Sequence, residues 1–291
     1  MSPIDLLVES PELLYPTALL VALAVGSFLN VVILRLPRMM DASWREECSE
    51  LLGLDQSSVT GDRSLGLAFP PSHCPNCQHR LRVWENIPIL SWLLLRGRCS
   101  ACHAPISIRY PLIEATTAIL SLIVIWQLGP TAQGMAGLVL TWGLVALAVI
   151  DAETQLLPDS ITLPLLWLGL GLSLFDVFID SNQAIIGAIC GYLSLWLVVQ
   201  LFRLATGKEG MGQGDFKLFA LFGAWLGWTA LPQILLLSTV PGALFGIAMI
   251  VGGRQRRGTP IPFGPFLAIA GWISLLWGDA IMTAYLRWVG L

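Results

Sequence analysis

Long apolar runs alternate with short polar breaks along most of this chain. Eight runs stand out, near residues 15–36, 110–128, 134–151, 161–179, 184–204, 216–231, 233–252 and 263–283. Most approach the ~20 residues an α-helix needs to cross ~30 Å of hydrocarbon. The sixth is the shortest, and only the region of Pro232 separates it from the seventh. The pattern predicts an all-α polytopic membrane protein with about eight transmembrane helices. Residues 37–109 form the one sizeable polar stretch and are expected to fold as a small soluble domain between helices 1 and 2. The expected division is a transmembrane anchor over 1–36, that domain over 37–109, and a second transmembrane domain over 110–291. Within the polar stretch, Asp41 to Leu54 reads as a short amphipathic helix, and residues 41–70 carry no functional signal.

Composition agrees. The chain has 291 residues, 55% hydrophobic and 12% charged, with mean hydropathy +0.73, whereas soluble domains carry about 25% charged residues. A net charge of -3 gives no reason to expect a nucleic-acid partner. Charge placement says more than the sum. With the N-terminus outside, loops 37–109, 152–160, 205–215 and 253–262 face the cytoplasm and hold or adjoin nearly all of the 16 Lys and Arg residues. The opposite connections, 129–133 and 180–183, contain none, and Arg287 alone clearly falls outside. Cytoplasmic loops carry such an excess of basic residues. Both termini are therefore expected outside. The first 16 residues are acidic and lack the basic start of a cleavable signal, so the first helix is expected to remain as an anchor.

Four of the six cysteines form two tight pairs, Cys74-Pro-Asn-Cys77 and Cys99-Ser-Ala-Cys102, with 21 residues between them. Each such turn offers two thiolates to one ion, and two turns close a tetrahedral shell, which points to structural zinc. Disulfides on a cytoplasmic face and an iron–sulfur centre are the alternatives. His73, His79 and His103 read as neighbours of the metal or solvent-facing groups. The separate Cys48 and Cys190 read as inert.

Two carboxylates are placed differently from the rest. Gly210, Gly212 and Gly214 lead into Asp215 at the start of an apolar run, where glycine permits close approach of another segment. Asp215 is read either as an N-cap or as a functional group at a membrane border. Asp151 ends the third run, where the helix dipole disfavours a carboxylate. Two carboxyls held close share a proton and activate water, the chemistry of an aspartic protease. Asp159 reads as an N-cap, and Glu153 and Glu209 as solvated loop charges. In the first run, Asn30 reads as a hydrogen-bonding contact between helices, and Arg35 and Pro37 as the helix exit. A transporter using Asp151 and Asp215 as proton or ion sites, and a scaffold docking through its zinc module, remain as other classes. Against transport, the halves show no internal repeat, and the other acids within the runs, Glu114, Asp176 and Asp279, lie near their ends.

Taken together, several stretches resemble the type IV prepilin peptidase/N-methyltransferase family. They are Gly26-Ser-Phe-Leu-Asn-Val-Val-Ile33, the two cysteine pairs, the run Glu85–Cys99, Asp151 with Leu157-Pro-Asp159, Gly207–Lys217 and Pro262-Phe-Gly-Pro-Phe266. The quartet Gly212-Gln-Gly-Asp215 is similar to the GxGD signature of intramembrane aspartic proteases. The resemblance implies Asp151 and Asp215 as the catalytic pair, supported by Gly212 and Gly214. It implies prepilin and pseudopilin substrates, of type IV pili and type II secretion, cut after a glycine at the cytoplasmic face of the bacterial inner membrane. It further implies N-methylation of the new terminus with S-adenosylmethionine, associated with the zinc domain. No Rossmann glycine pattern is present for that donor; Glu85 and Gly97 are the candidates beside it.

Overall fold

The computed structural model describes residues 10–53, 66–208, 210–252 and 261–290. Helix dominates. The long helices are α1 (Pro11–Leu51), α2 (Arg109–Leu128), α3 (Ala132–Thr154), α4 (Asp159–Ser173), α5 (Ser181–Thr206), α6 (Gln213–Leu226), α7 (Leu231–Val251) and α8 (Gly264–Val289). Among the described residues there is no sheet, only two isolated bridges in the cysteine-bearing region. Each expected run has its helix, and six of the helices are long and apolar enough to cross a membrane. The exceptions are α4 and α6, with 15 and 14 residues, against the ~20 that a full crossing takes.

Both shortfalls have local causes. After α4 the chain turns through Asp176 at φ 51, so residues 174–179 leave the helix expected over 161–179. After α6 it turns through Gly227 at φ 80 and a single 3₁₀ turn, Trp228–Ala230, before Pro232 opens α7. The first helix errs the other way. Arg35 and Pro37 do not mark its exit, because α1 continues for 41 residues with Pro16 and Pro37 inside it. At 1.5 Å per residue that is about 60 Å, twice the hydrocarbon thickness, so its C-terminal part protrudes. The pairs Asp41–Arg45 (2.9 Å) and Ser43–Glu47 (3.2 Å) brace that polar part, as i,i+4 partners do. The amphipathic helix expected over Asp41–Leu54 is thus the end of α1, and Leu54 itself lies outside the described residues.

The chain divides into two compact units, residues 1–126 and 127–291. In the first, α1 meets α2 where Gly26 lies under Glu114; a Cβ on Gly26 would stand 2.9 Å from the Glu114 Cα. Close by, the Asn30 amide donates to the Tyr110 carbonyl at 3.1 Å, the interhelical bond expected of it. Arg35 is buried and donates to the carbonyls of Gly66 and Pro70 at 2.8 and 2.7 Å. These bonds fasten the loop ahead of the first cysteine pair to α1.

The second unit is built around α6. From Phe216 to Trp225 nearly every residue of this helix is buried. A helix apolar on all sides belongs inside a bundle, and α4, α5, α7 and α8 pack on it. Small residues allow the approach. Gly187 of α5 lies directly against the Gly223 backbone of α6, and Gly191 lies against the Phe219–Ala220 backbone. Gly169 of α4 lies beneath Trp225, whose indole N–H donates to the Leu165 carbonyl at 2.8 Å. The first turn of this short central helix starts exposed at Gly212 and Gln213, and its third residue, Asp215, is the first to enter the packed interior.

Candidate functional site

Asp215 is the third residue of α6, and Gly212 is the N-cap. The Gly212 N–H faces the Asp215 carboxylate, the contact a third-position acid makes with its N-cap in a capping box. Asp215 is therefore not the N-cap itself. It is 8% exposed, and its Oδ1 is buried with no hydrogen-bond partner. A buried unpartnered carboxylate oxygen costs free energy, so its persistence needs a reason.

Asp151 lies in the last turn of α3, where its carbonyl accepts from Gln155 N–H. Its side chain is 5% exposed and accepts from the Gly264 N–H at 2.9 Å. Gly264 is the first residue of α8. The unfavourable dipole of α3's own end is thus offset by the N-terminus of another helix, which favours negative charge. The glycine matters, since a Cβ there would stand 2.7 Å from Asp151 Oδ2.

Leu157 lies against the two glycines that adjoin the carboxylates. A Cβ on Gly214 would stand 2.7 Å from Leu157 Cβ, and one on Gly264 would stand 3.2 Å from Leu157 Cδ2. The residue before Asp215 and the residue bonded to Asp151 therefore approach opposite ends of one side chain. Asp159 is the first residue of α4 rather than its N-cap, which is Pro158. It pairs with Lys217 Nζ at 2.7 Å and ties the starts of α4 and α6. Glu153 is helical and exposed, in the last turn of α3; Glu209 lies outside the described residues. In the sequence Leu157 and Gly264 stand only as members of longer motifs, with nothing else that marks a role for either. The Pro-Phe-Gly-Pro spacing was the available signal for Gly264.

The cysteine region repeats one turn twice. Cys74 N–H donates to His79 O and Gln78 N–H to Cys74 O; 25 residues on, Cys99 N–H donates to Ala104 O and His103 N–H to Cys99 O. Gln78 and His103 both take positive φ, 60 and 57. The four Sγ atoms lie within 4.8 Å of one another, with Cys74–Cys102 at 3.8 Å and Cys77–Cys99 at 3.9 Å. A tetrahedron of ~2.3 Å Zn–S bonds has edges of about 3.8 Å. The cysteines are free thiols, and the cluster fits a structural zinc ion. Cys48 and Cys190 are exposed and outside it.

Glu85 clasps the two turns together. It is buried; Oε2 accepts from Arg82 N–H at 2.7 Å and lies 3.3 Å from His79 Nε2, while Oε1 accepts from the Ser100 hydroxyl. The Arg82 N–H, then Ser100, then His79 hold its carboxyl below the usual carboxylate range. Gly97 takes φ 67 with the Trp92 indole against it, and Trp92 Nε1–H donates to Ile106 O at 3.2 Å.

Comparison with known proteins bears directly on these two sites. Residues 20–128 match the model of the bacterial peptidase A24 N-terminal domain, and residues 138–247 match that of the type IV leader peptidase family. The chain is 52% identical to a prepilin leader peptidase/N-methyltransferase of Stutzerimonas stutzeri over the full length of both proteins. It is 52% identical to the Pseudomonas aeruginosa protein of that name, over 100% of this chain and 99% of the relative. The Legionella pneumophila protein of that name is 46% identical over 97% of each. No solved structure matches. The four cysteines fall within the first matched model and Asp151 and Asp215 within the second, and the two 52% identical relatives align over nearly their whole length. This chain belongs to the type IV leader peptidase family.

Proposed function

We propose that the chain is a bifunctional enzyme that cleaves the leader peptides of prepilins and pseudopilins and then N-methylates the new terminus. Its relatives carry the name prepilin leader peptidase/N-methyltransferase. The observations that support cleavage most directly are the buried, unpartnered Oδ1 of Asp215 and the buried Asp151 carboxylate held by the Gly264 N–H, with Leu157 against both Gly214 and Gly264. Asp151 and Asp215 form the catalytic dyad. The pair shares one proton; the ionised carboxylate takes a proton from water as the oxygen attacks the scissile carbonyl. The protonated carboxyl gives its proton to that carbonyl oxygen; as the C–N bond breaks, the carboxyl that took the water's proton passes it to the departing amine, and the first recovers a proton from the gem-diol hydroxyl as the carbonyl re-forms. Gly214 and Gly264 keep this space free of side chains, and Gly212 caps the helix that carries Asp215.

Residues 1–36 act as anchor, 37–109 as the zinc-bearing module of the methyltransferase, and 110–291 as the peptidase. Cys74, Cys77, Cys99 and Cys102 would hold zinc as a closed structural shell. S-Adenosylmethionine, when bound, would supply an electrophilic methyl group for the new amine and leave as S-adenosylhomocysteine. Glu85, both of whose oxygens are engaged, and Gly97 shape the module beside it. The enzyme sits in the inner membrane of a bacterium, with the dyad at the cytoplasmic face and both termini periplasmic. The charge asymmetry of the loops supports that orientation.

The test is mass spectrometry of a prepilin incubated with the purified protein. A product shortened at its leader, and heavier by one methyl only with the donor present, is expected. Asp151→Asn and Asp215→Asn should each abolish shortening. Unchanged cleavage by either variant would remove the dyad.

A further inference from the structure

The surface of the cysteine-bearing module is apolar along one edge. On the 3₁₀ turn Val83–Asn86, Glu85 points inward while Val83 is 91% and Trp84 45% exposed. On the one-turn helix Leu90–Leu94, Trp92 anchors inward and Leu90, Leu93 and Leu94 are 58%, 57% and 77% exposed. Their i, i+3, i+4 spacing makes one face. Leaving such a cluster in water is unfavourable, and clusters of this kind mark interaction sites.

A fixed contact sets the depth of this edge. Ile89 N–H donates to Glu114 Oε2 at 2.8 Å. Glu114 is buried in the second turn of α2, about 7 Å along the axis from Arg109, and Ser27 of α1 bonds the same carboxylate. Ile89 itself has φ 59 and ψ -51, a rare and strained γ-turn region for a β-branched residue. The Leu90 N–H closes that turn on Pro88 O. Such strain persists where surrounding contacts over-determine it. The Glu114 bond holds the leucine helix beside the entry of a membrane span. Around the edge, Arg80, Arg82, Arg96 and Arg98 are exposed.

We propose that the segment Val83–Leu94 is a membrane-surface anchor, with Leu90, Leu93 and Leu94 buried in the interface of the leaflet that α2 enters. Trp84 lies at headgroup level, where indole rings concentrate, and the arginines face anionic headgroups. The zinc module then rests on the bilayer that α1 and α2 cross, through apolar contact and not only through covalent linkage.

The test uses the full-length protein in anionic-lipid nanodiscs, with a benzophenone side chain in place of Leu94. Photolysis is expected to give a lipid adduct as the main product. The same side chain in place of Glu47, on the protruding part of α1, should give none. Replacing an exposed leucine leaves the fold intact, which retained zinc confirms. The absence of a lipid adduct at residue 94, or its crosslinking to protein instead, would overturn the proposal. The readout does not depend on peptidase or methyltransferase activity, so it stands or falls apart from them.

Discussion

Gly264 sits where a backbone N–H fits beside Asp151 and a side chain does not. The bond is 2.9 Å, and a Cβ would come within 2.7 Å of the accepting oxygen. Gly264→Ala keeps the donor but pushes the carboxylate aside. Misplacing a reacting group by about 1 Å costs about 10²-fold in rate. Cleavage should fall by about that factor while the melting temperature moves little, which turnover assays beside thermal unfolding would check. A matching loss of stability would make the glycine a packing residue instead. Glu85 tests the other unit. Its carboxylate accepts from Arg82 N–H and the Ser100 hydroxyl, and hydrogen bonds to charged groups are worth about 1.5–3 kcal/mol. Because these contacts lower its folded-state pKa, its contribution is complete above the ordinary value of about 4.3. It fades as pH falls through the lowered value. Glu85→Gln should thus destabilise the protein at pH 7, and the gap from wild type should close in that acid window. Denaturation at a series of pH values would reveal it.

Among the elements, α6 decides most. It is too short to cross the membrane alone, yet it is the most buried helix of its unit. Its approach to α5 depends on Gly187 lying directly against the Gly223 backbone. Gly187→Val would force the two helices apart, and overpacking of this kind costs about 1–3 kcal/mol. Asp215 rides on the displaced helix, so cleavage should fall along with thermal stability, in contrast to Gly264→Ala. Preserved cleavage in a destabilised protein would show that α6 holds its N-terminus by other contacts. Hydropathy alone revealed that these helices exist, because apolar runs are long and unambiguous. It did not reveal their ends. Gly227 and Asp176 stop helices inside apolar sequence through backbone conformation, which hydropathy does not register. Pro37 fails to stop α1, whose polar part is braced by i,i+4 pairs and by the bonds of Arg35.

At the scale of the whole molecule, the legible parts were those whose chemistry is local. Two CxxC turns declare a metal site by spacing alone. The surroundings of Asp151 and Asp215 include Leu157 and Gly264, and Gly264 lies 113 residues from Asp151, so no local pattern expresses them. Glu114 was legible only as an acid near a span end, while its bond to Ile89 depends on the fold. The two units should therefore respond separately to loss of metal. A structural four-cysteine site contributes folding energy outright, and here the two turns, Glu85 and Trp92 depend on one another. Asp151, Asp215 and the helices that hold them lie wholly within residues 127–291. Cys74→Ser, or removal of zinc by a chelator, should release the metal, unfold the module and end methylation. Cleavage of an unmethylated substrate should persist at a measurable rate. Metal content, methyl incorporation and leader cleavage, measured on the same preparation, check this together. Equal loss of both activities would mean that the module also supports the peptidase. Intact methylation without metal would overturn the assignment of the four thiolates to zinc.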